Sequence, residues 1–400
     1  MRTDDDMLAP MRATPSTQDV VLACINGTAG APALATGLHE RHVADAMPAA
    51  RDHQVTTYLH QALRRGAAAG AGTLLARLQA AAATTAVAQL EALADLHWVA
   101  HALAAAGVPW LLIKGPVLSE RVYPDPALRP SRDLDLVVPA RRFGSALAAL
   151  DAGGATLLDA NWELAIAQRR GQVHVQLPHG TTMDLHWHLV NAGPVRDTLA
   201  IAMPSVWRDR RTVTVHGLAV ETLSTTDTVV HLGVHAALGG AWRLRWLNDL
   251  KLVIAHEPVD WHAVVERARQ WRARHLLAIA LMRSQRLLHA DVPGHVLADL
   301  LATPGARALV RTVDRVWSPV AATHALAPAR LWPQFVRDTW ADALRAAAWR
   351  VRRRAGNGLR GFWHDRERPE AMDPSGGDDG RGRYLGLVER GDLDRARRAA

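Results

Sequence analysis

Residues 114–139 read KGPVLSERVYPDPALRPSRDLDLVVP, and near their end Asp133 and Asp135 alternate with Leu134 and Leu136. Alternate residues of a β-strand share a face, so this pattern predicts a strand with both carboxylates on one face and both leucines in a core. Two neighbouring carboxylates repel each other and need a positive partner. Ligands that are all oxygen favour Mg²⁺ or Mn²⁺ over zinc, so the acidic face is a candidate divalent-metal site.

A third acid lies downstream in a predicted β-hairpin. Residues 173–177 and 182–189 alternate apolar and polar side chains on either side of the turn Pro-His-Gly at 178–180. Alternation places Asp184 and His186 on the same face of the second of these strands. If the hairpin lies beside the first strand, the three carboxylates converge.

The strands are expected between two helical regions. Apolar residues recur every three or four positions on both sides of the strand-rich segment, which is the helical period. We therefore predict an α+β fold, with a small mixed β-sheet core flanked by N-terminal and C-terminal all-helical regions. Five segments are predicted: a disordered N-terminus (1–16), a helical region (17–106), the α/β core (107–223), a second helical region (224–335), and a basic helix with a disordered tail (336–400).

The composition suits a globular protein with a large core, since 49% of the 400 residues are hydrophobic. The single cysteine, Cys24, excludes an intrachain disulfide. Together with an acidic N-terminus and the lack of an apolar run that could span a bilayer, it predicts a cytoplasmic protein without a membrane span. The net charge of +8 comes almost wholly from arginine, since Lys114 and Lys251 are the only lysines. A coding bias towards arginine accounts for this charge, so no nucleic-acid partner is predicted.

Several short motifs stand out in chain order: Lys114-Gly115, Tyr123-Pro124, Arg129, Arg132-Asp133-Leu134-Asp135-Leu136, Asp184-Leu185-His186-Trp187, and RLRWLNDL at 243–250. Together they resemble the DNA polymerase β-like nucleotidyltransferase superfamily, and within it a branch of uncharacterised bacterial nucleotidyltransferases. The resemblance covers most of residues 20–330. The superfamily's usual first motif is a Gly-Ser or Gly-Gly pair, whereas this chain has a Lys-Gly-Pro turn.

The resemblance implies a two-metal, three-carboxylate enzyme that transfers a nucleoside monophosphate from a nucleoside triphosphate, ATP above all, to an acceptor and releases pyrophosphate. Asp133 and Asp135 would bind Mg²⁺ or Mn²⁺. Asp184 would bind the catalytic ion and help to deprotonate the acceptor hydroxyl. The acceptor could be a small molecule, a peptide, a protein or an RNA, and the sequence does not choose among them.

The same resemblance assigns the nucleotide-binding residues. Lys114 and the backbone at Gly115 would contact the triphosphate, since a residue without a Cβ permits close approach. Arg129 and Arg132 are further candidate phosphate contacts. His186 shares the face of Asp184 and is a candidate substrate contact, with a structural histidine as the alternative.

Other interpretations of these residues stay open. The alternative to an enzyme is a non-catalytic protein that keeps the nucleotidyltransferase fold for binding or as a scaffold. His231 and His235 are four residues apart on a predicted helix and would suit zinc if a third ligand such as Asp249 approached. Arg245 and Asp249 have the same spacing, which predicts an ion pair within one helix.

Overall fold

A computed structural model describes most of the chain. The described residues are 17–27, 40–66, 72–131, 133–316, 336–355 and 374–395. Within these ranges the protein combines many helices with two small β-sheets, and none of the helices is both long and apolar enough to cross a membrane.

One sheet has five strands: β1 (Leu111–Leu112), β2 (Asp133–Val137), β3 (Thr156–Leu157), β4 (Gln172–Gln176) and β5 (Thr182–His186). Their spatial order is β1-β2-β5-β4-β3. Strands β2 and β5 are parallel and the other neighbours are antiparallel, so the sheet is mixed. A separate hairpin pairs β6 (Arg211–Val215) with β7 (Leu218–Thr222). The predicted α+β class with a small mixed sheet is confirmed.

Helices precede, interrupt and follow the strands. The N-terminal helices are α1 (Thr17–Asn26), α2 (Glu40–Asp52), α3 (Thr56–Gly66) and α4 (Gly72–Ala105). Between the strands lie α5 (Pro116–Val122), α6 (Phe143–Ala152), α7 (Trp162–Ala167), α8 (Gly193–Arg196) and α9 (Met203–Arg208), with 3₁₀ turns at Pro126–Leu128 and Ala140–Arg142. After them come α10 (Thr225–Leu238), α11 (Leu244–His256), α12 (Trp261–Gln270), α13 (Arg274–Leu288), α14 (Gly294–Leu300), α15 (Pro304–Val316), α16 (Trp340–Ala355), α17 (Gly377–Glu389) and α18 (Asp392–Arg395).

The inner face of the sheet is apolar, as the alternation predicts. Leu134 and Leu136 of β2 and Met183 and Leu185 of β5 are fully buried in the main hydrophobic core. Burying four such side chains removes a large apolar area from water, which stabilises the pairing of the two strands. The register is then fixed, because a slip of one residue would turn the leucines outward and the aspartates inward.

Helix α4 anchors the turn between β4 and β5 through one buried carboxylate. The Asp95 side chain accepts hydrogen bonds from the backbone N–H groups of His179 and Thr181, each at 3.0 Å. The same side chain lies 2.9 Å from His179 Nδ1. Asp95 is fully buried, so losing these bonds would leave an uncompensated charge in the core. The turn predicted at 178–180 is therefore held in place by a residue of the N-terminal helical region.

The prediction of a disordered tail is wrong for residues 374–395. Helix α17 packs Tyr384 and Val388 into the core with no exposed surface. The Tyr384 ring centroid lies 5.5 Å from that of Trp162 and 6.4 Å from that of Phe143. Glycine, aspartate and arginine dominate the composition here and hide a short apolar stripe at i, i+4 spacing. The predicted disordered N-terminus at 1–16 lies outside the described residues, as do 356–373.

Candidate metal centre

The parallel pairing of β2 with β5 brings two of the predicted carboxylates side by side. Asp135 and Asp184 are direct partners in the register, and Asp133 is paired with Thr182 at the start of β2. Because side chains alternate along a strand, all three aspartates lie on the face opposite the buried leucines. Asp133 is exposed, whereas Asp135 is buried and Asp184 half-buried.

A compact group of metal-type ligands forms on this face. Among the described residues, Asp135, Asp184 and His186 each offer a ligand atom within 4.8 Å of the other two. His186 Nε2 lies 3.5 Å from Asp135 Oδ1, and neither ring nitrogen has a hydrogen-bond partner in the described chain. The group differs from the predicted three-carboxylate set, since His186 belongs to it and Asp133 stands at its edge.

Lys114 provides the positive partner that the paired acids require. Its Nζ lies 2.8 Å from Asp135 Oδ1, and both side chains are largely buried. Burial opposes the ionisation of Asp135, but the charge of Lys114 and the nearby imidazole of His186 hold the pKa of this carboxyl well below its usual range. Asp135 is therefore ionised over the whole physiological pH range.

The other two acids are short of positive charge. Burial and the repulsion of Asp135 raise the pKa of Asp184 to about 6. Partial loss of hydration and the same repulsion raise the pKa of Asp133, although its side chain keeps an exposed surface. Shifts in this direction mean that the ionised acids would be stabilised by a further cation. Two carboxylates and an imidazole in contact distance therefore fit a divalent ion, although the imidazole departs from the all-oxygen set that favours Mg²⁺.

Two side chains of strand β4 contact the Asp184 carboxylate, and the sequence reasoning did not predict them. Gln172 Nε2 donates to Asp184 Oδ2 at 3.1 Å, and His174 Nε2 lies 3.6 Å from Asp184 Oδ1. His174 is the direct register partner of Asp184. The signal was available in the sequence, because Gln172, His174 and Gln176 alternate with two valines and so share the acidic face.

A second aspartate orients His174. Asp159 Oδ2 accepts from the backbone N–H of His174 at 2.7 Å and lies 2.9 Å from its Nδ1. Asp159 Oδ1 accepts from Arg170 Nη1 at 2.8 Å. Burial opposes its ionisation, but these bonds lower the pKa of Asp159. A carboxylate that accepts from one nitrogen of an imidazole leaves the other nitrogen directed outward, here at Asp184.

The Lys-Gly-Pro turn is built close to the start of β2. Gly115 has φ +64°, and a Cβ at this position would lie 3.3 Å from the Asp133 carbonyl oxygen and 3.4 Å from Ser131 Oγ. Both the positive φ and the tight approach favour glycine. Pro116 then occupies the first turn of α5, where its missing N–H leaves no bond unmade.

Arg129, a predicted phosphate contact, binds within the protein. Its Nε and Nη2 donate to the two carboxylate oxygens of Asp249 at 2.6 and 3.0 Å, and its Nη1 donates to the Gly115 carbonyl at 3.1 Å. Tyr123 donates its hydroxyl proton to the same carboxylate at 2.6 Å. The predicted pair of Arg245 with Asp249 is therefore wrong, because Arg129 reaches both oxygens from another loop. Arg132 lies outside the described residues.

The zinc hypothesis for α10 lacks its third ligand. The rings of His231 and His235 are 6.2 Å apart, and His235 packs edge-on against Trp246 at 5.2 Å. The carboxylate of Asp249 is occupied by Arg129 and Tyr123. The group of metal-type ligands found in the described chain contains neither histidine.

Comparisons with known proteins identify the family of the chain but no residue of the site. A family model described as "Uncharacterised nucleotidyltransferase" matches residues 39–289. No curated protein matches the chain. Among solved structures, the antibiotic-resistance factor ANT(2'')-Ia is 13% identical over 57% of this chain and 97% of its own, with a TM-score of 0.29. That structural similarity is too weak to define the fold or the substrate of this chain, whereas the family model covers more than half of it and includes every residue of the candidate site.

Proposed function

The chain belongs to the uncharacterised nucleotidyltransferase family, and we propose that it is a metal-dependent enzyme of that kind. It transfers a nucleoside monophosphate from a nucleoside triphosphate, ATP in the first instance, to an acceptor and releases pyrophosphate. The observation that carries this proposal is the register pairing of Asp135 with Asp184 on adjacent parallel strands. Catalytic transfer needs negatively charged ligands on one rigid face, and this pairing supplies them.

Asp135 and Asp184 hold the divalent ion, Mg²⁺ or Mn²⁺, with Asp133 as a third carboxylate at the edge of the site. Bound ions supply charge neutralisation of the triphosphate and orientation of the attacking and leaving oxygens. His186 completes the ligand group or contacts the substrate. The proton of the attacking hydroxyl is accepted at Asp184, whose carboxylate Gln172 holds by a 3.1 Å hydrogen bond.

The triphosphate is held on the side of the Lys-Gly-Pro turn. Lys114 exchanges its contact with Asp135 for a phosphate oxygen, which a compact ammonium on a flexible stem can do. Gly115 lets the backbone approach the phosphates closely. Arg129 acts through this turn, since it donates to the Gly115 carbonyl, and Arg132 is proposed as a phosphate contact on sequence grounds alone. The proposed compartment is the cytoplasm, and the acceptor is a small molecule, a peptide or a protein.

Incubation with each of the four α-labelled nucleoside triphosphates and a cell extract tests the proposal. We expect label to pass to one class of acceptor, with Mg²⁺ or Mn²⁺ required and pyrophosphate released. Asp135→Asn and Asp184→Asn should abolish labelling, whereas Asp151→Asn, which changes an exposed acid on α6, should not. Absence of labelling with all four triphosphates, or labelling by the two site variants at the level of wild type, would rule out the enzyme.

The second candidate is a non-catalytic protein that binds nucleotide with the same fold. The contact between Lys114 and Asp135 favours it, because an ammonium already neutralises one of the acids without a metal ion. In that case triphosphates raise the melting temperature of the protein but no label is transferred. Thermal unfolding with and without each triphosphate therefore separates the two functions when it is read beside the labelling experiment.

A further inference from the structure

Helix α11 presents one face to the Lys-Gly-Pro turn. Asp249 on this face is tied to the turn by Arg129, which bridges its carboxylate and the Gly115 carbonyl. Arg245 lies one helical turn earlier, so its side chain starts from the same face. The backbone N–H of Arg245 donates to the carbonyl of His53 at 3.2 Å, which fixes the first turn of the helix.

Among the described residues the guanidinium of Arg245 makes no hydrogen bond and no ion pair, and its Nε is buried. The carboxylates of Asp249 and Asp133 attract it without contacting it. Asp249 is occupied at both oxygens by Arg129 and Tyr123. A half-buried guanidinium whose donors are unused is suited to bind an anion.

Arg245 and Lys114 approach the candidate metal site from two different elements, helix α11 and the turn after β1. Arg245 stands one helical turn before Asp249, which Arg129 ties to the Gly115 carbonyl of that turn. The attraction between Arg245 and Asp133 agrees with this placement.

A planar guanidinium can donate two parallel hydrogen bonds to a phosphate group, which an ammonium cannot do. The anionic part of the substrate in the proposed reaction is the triphosphate. We propose that Arg245 binds the β- and γ-phosphates of the nucleoside triphosphate, and so holds the pyrophosphate that leaves. This inference rests on the proposed function and assigns to Arg245 the phosphate contact that the sequence assigned to Arg129.

Calorimetric titration of Arg245→Gln against wild type, with Mg²⁺ present, tests the inference. We expect binding of ATP and of inorganic pyrophosphate to weaken about tenfold to a hundredfold, the usual effect of losing a charged hydrogen bond. AMP lacks the β- and γ-phosphates, so its affinity should change less than about threefold. Binding of Mn²⁺ alone should be unchanged or tighter, because a positive charge near Asp133 is removed. Arg245→Lys should recover part of the loss.

Arg208→Gln is the matched control, since it removes an arginine whose side chain is 72% exposed and whose ion pair within the described ranges is with its neighbour Asp209. Cooperative thermal unfolding of each variant shows that the fold is kept. If wild type binds ATP and Arg245→Gln binds it equally well, the role of Arg245 is overturned and the proposed function stands. If wild type binds no triphosphate, both are overturned. Equal weakening of ATP and AMP would also overturn the role, because it would indicate a general change in the site.

Discussion

The Nζ atom of Lys114 lies 2.8 Å from Oδ1 of Asp135, inside the candidate metal site. The ammonium compensates the buried carboxylate in the absence of a divalent ion and competes with that ion for the same oxygen. For Lys114→Met we therefore expect two opposite effects. The free energy of unfolding without metal should fall by about 1–3 kcal/mol, as for a lost charged hydrogen bond. The affinity for Mn²⁺ should rise about threefold to tenfold, because the charge of Asp135 is no longer neutralised.

Lys251→Met serves as the control, since it removes the other lysine of the chain, which contacts only Asn26 at 3.4 Å in the described structure. Urea unfolding and titration with Mn²⁺ give the two quantities. A weaker affinity for Mn²⁺ in Lys114→Met would show that the lysine supports metal binding instead of competing with it.

The raised pKa of Asp184 predicts a dependence of stability on pH when divalent ions are removed by a chelator. The folded protein holds this proton up to about pH 6, whereas the pKa of a free aspartate side chain is 3.8. Between these values the folded state binds more protons, so the free energy of unfolding falls as pH rises, by at most about 3 kcal/mol. Asp184→Asn should lack this fall. Asp135, whose pKa is lowered, contributes stability that is lost only below about pH 4.

Urea unfolding of wild type and Asp184→Asn from pH 4 to pH 8 measures the difference, and Asp151→Asn controls for the loss of an ordinary exposed acid. Adding Mg²⁺ at pH 8 should restore stability to wild type more than to Asp184→Asn. Parallel curves for the two proteins would contradict the electrostatic account of the site.

Local patterns in the sequence predicted strands β2, β4 and β5 and the face on which the aspartates lie, but not strand β3. Alternation in β2 and β5 fixes which side chains share a face, and this depends only on strand geometry. The pairing of Asp135 with Asp184 needed one further assumption, that the hairpin lies beside β2, and the structure confirms it. The same alternation placed His186 on the face of Asp184, but the sequence predicted a substrate contact or a structural histidine there and not a member of the ligand group.

Contacts between residues distant in sequence were not predictable in the same way. Arg129 meets Asp249 across 120 residues, so the local i, i+4 rule chose the wrong partner for that acid. Asp159 orients His174 from a loop that carries no periodic signal. Tyr384 reaches the sheet from a segment whose composition is typical of disorder. In each case the stabilising partner is selected by packing, which a single sequence does not show.

Asp159 is expected to act on Asp184 through His174. Asp159→Ala removes the acceptor of the backbone and side-chain bonds of His174 and leaves Arg170 without its counter-charge. We expect a loss of about 2–4 kcal/mol in the free energy of unfolding. The rate of nucleotide transfer should fall about tenfold to a hundredfold, with ATP affinity nearly unchanged, since outer partners of this kind orient the reacting ligand. Asp159→Asn can still accept from His174, so its stability and transfer rate should lie between those of wild type and Asp159→Ala. Asp151→Ala should match wild type.

Tyr384 connects helix α17 to Arg170, whose guanidinium donates to Asp159. Its hydroxyl donates to the Arg170 carbonyl at 2.8 Å, and Trp187 Nε1 donates to the same carbonyl at 3.1 Å. Tyr384→Phe should cost about 1 kcal/mol, and Tyr384→Ala about 3–5 kcal/mol, because the second also opens a cavity in the core. Thermal and urea unfolding measure both. Equal, small effects would mean that α17 packs on the sheet without stabilising it.

Variants of Arg129 and Asp249 test whether Arg129 stabilises the fold or binds nucleotide. Both are buried, and Arg129 joins α11 to the turn that carries Lys114 by two hydrogen bonds to Asp249 and one to the Gly115 carbonyl. Arg129→Gln should lower the free energy of unfolding by about 3–5 kcal/mol, since it leaves Asp249 as an uncompensated buried charge. Asp249→Asn should have a similar effect, and the double variant should lose less than the sum of the two single losses. ATP affinity, measured where the variants remain folded, should fall far less for Arg129→Gln than for Arg245→Gln. The opposite order, with a stable Arg129→Gln that no longer binds ATP, would return Arg129 to the phosphate-binding role that its position in the sequence predicts.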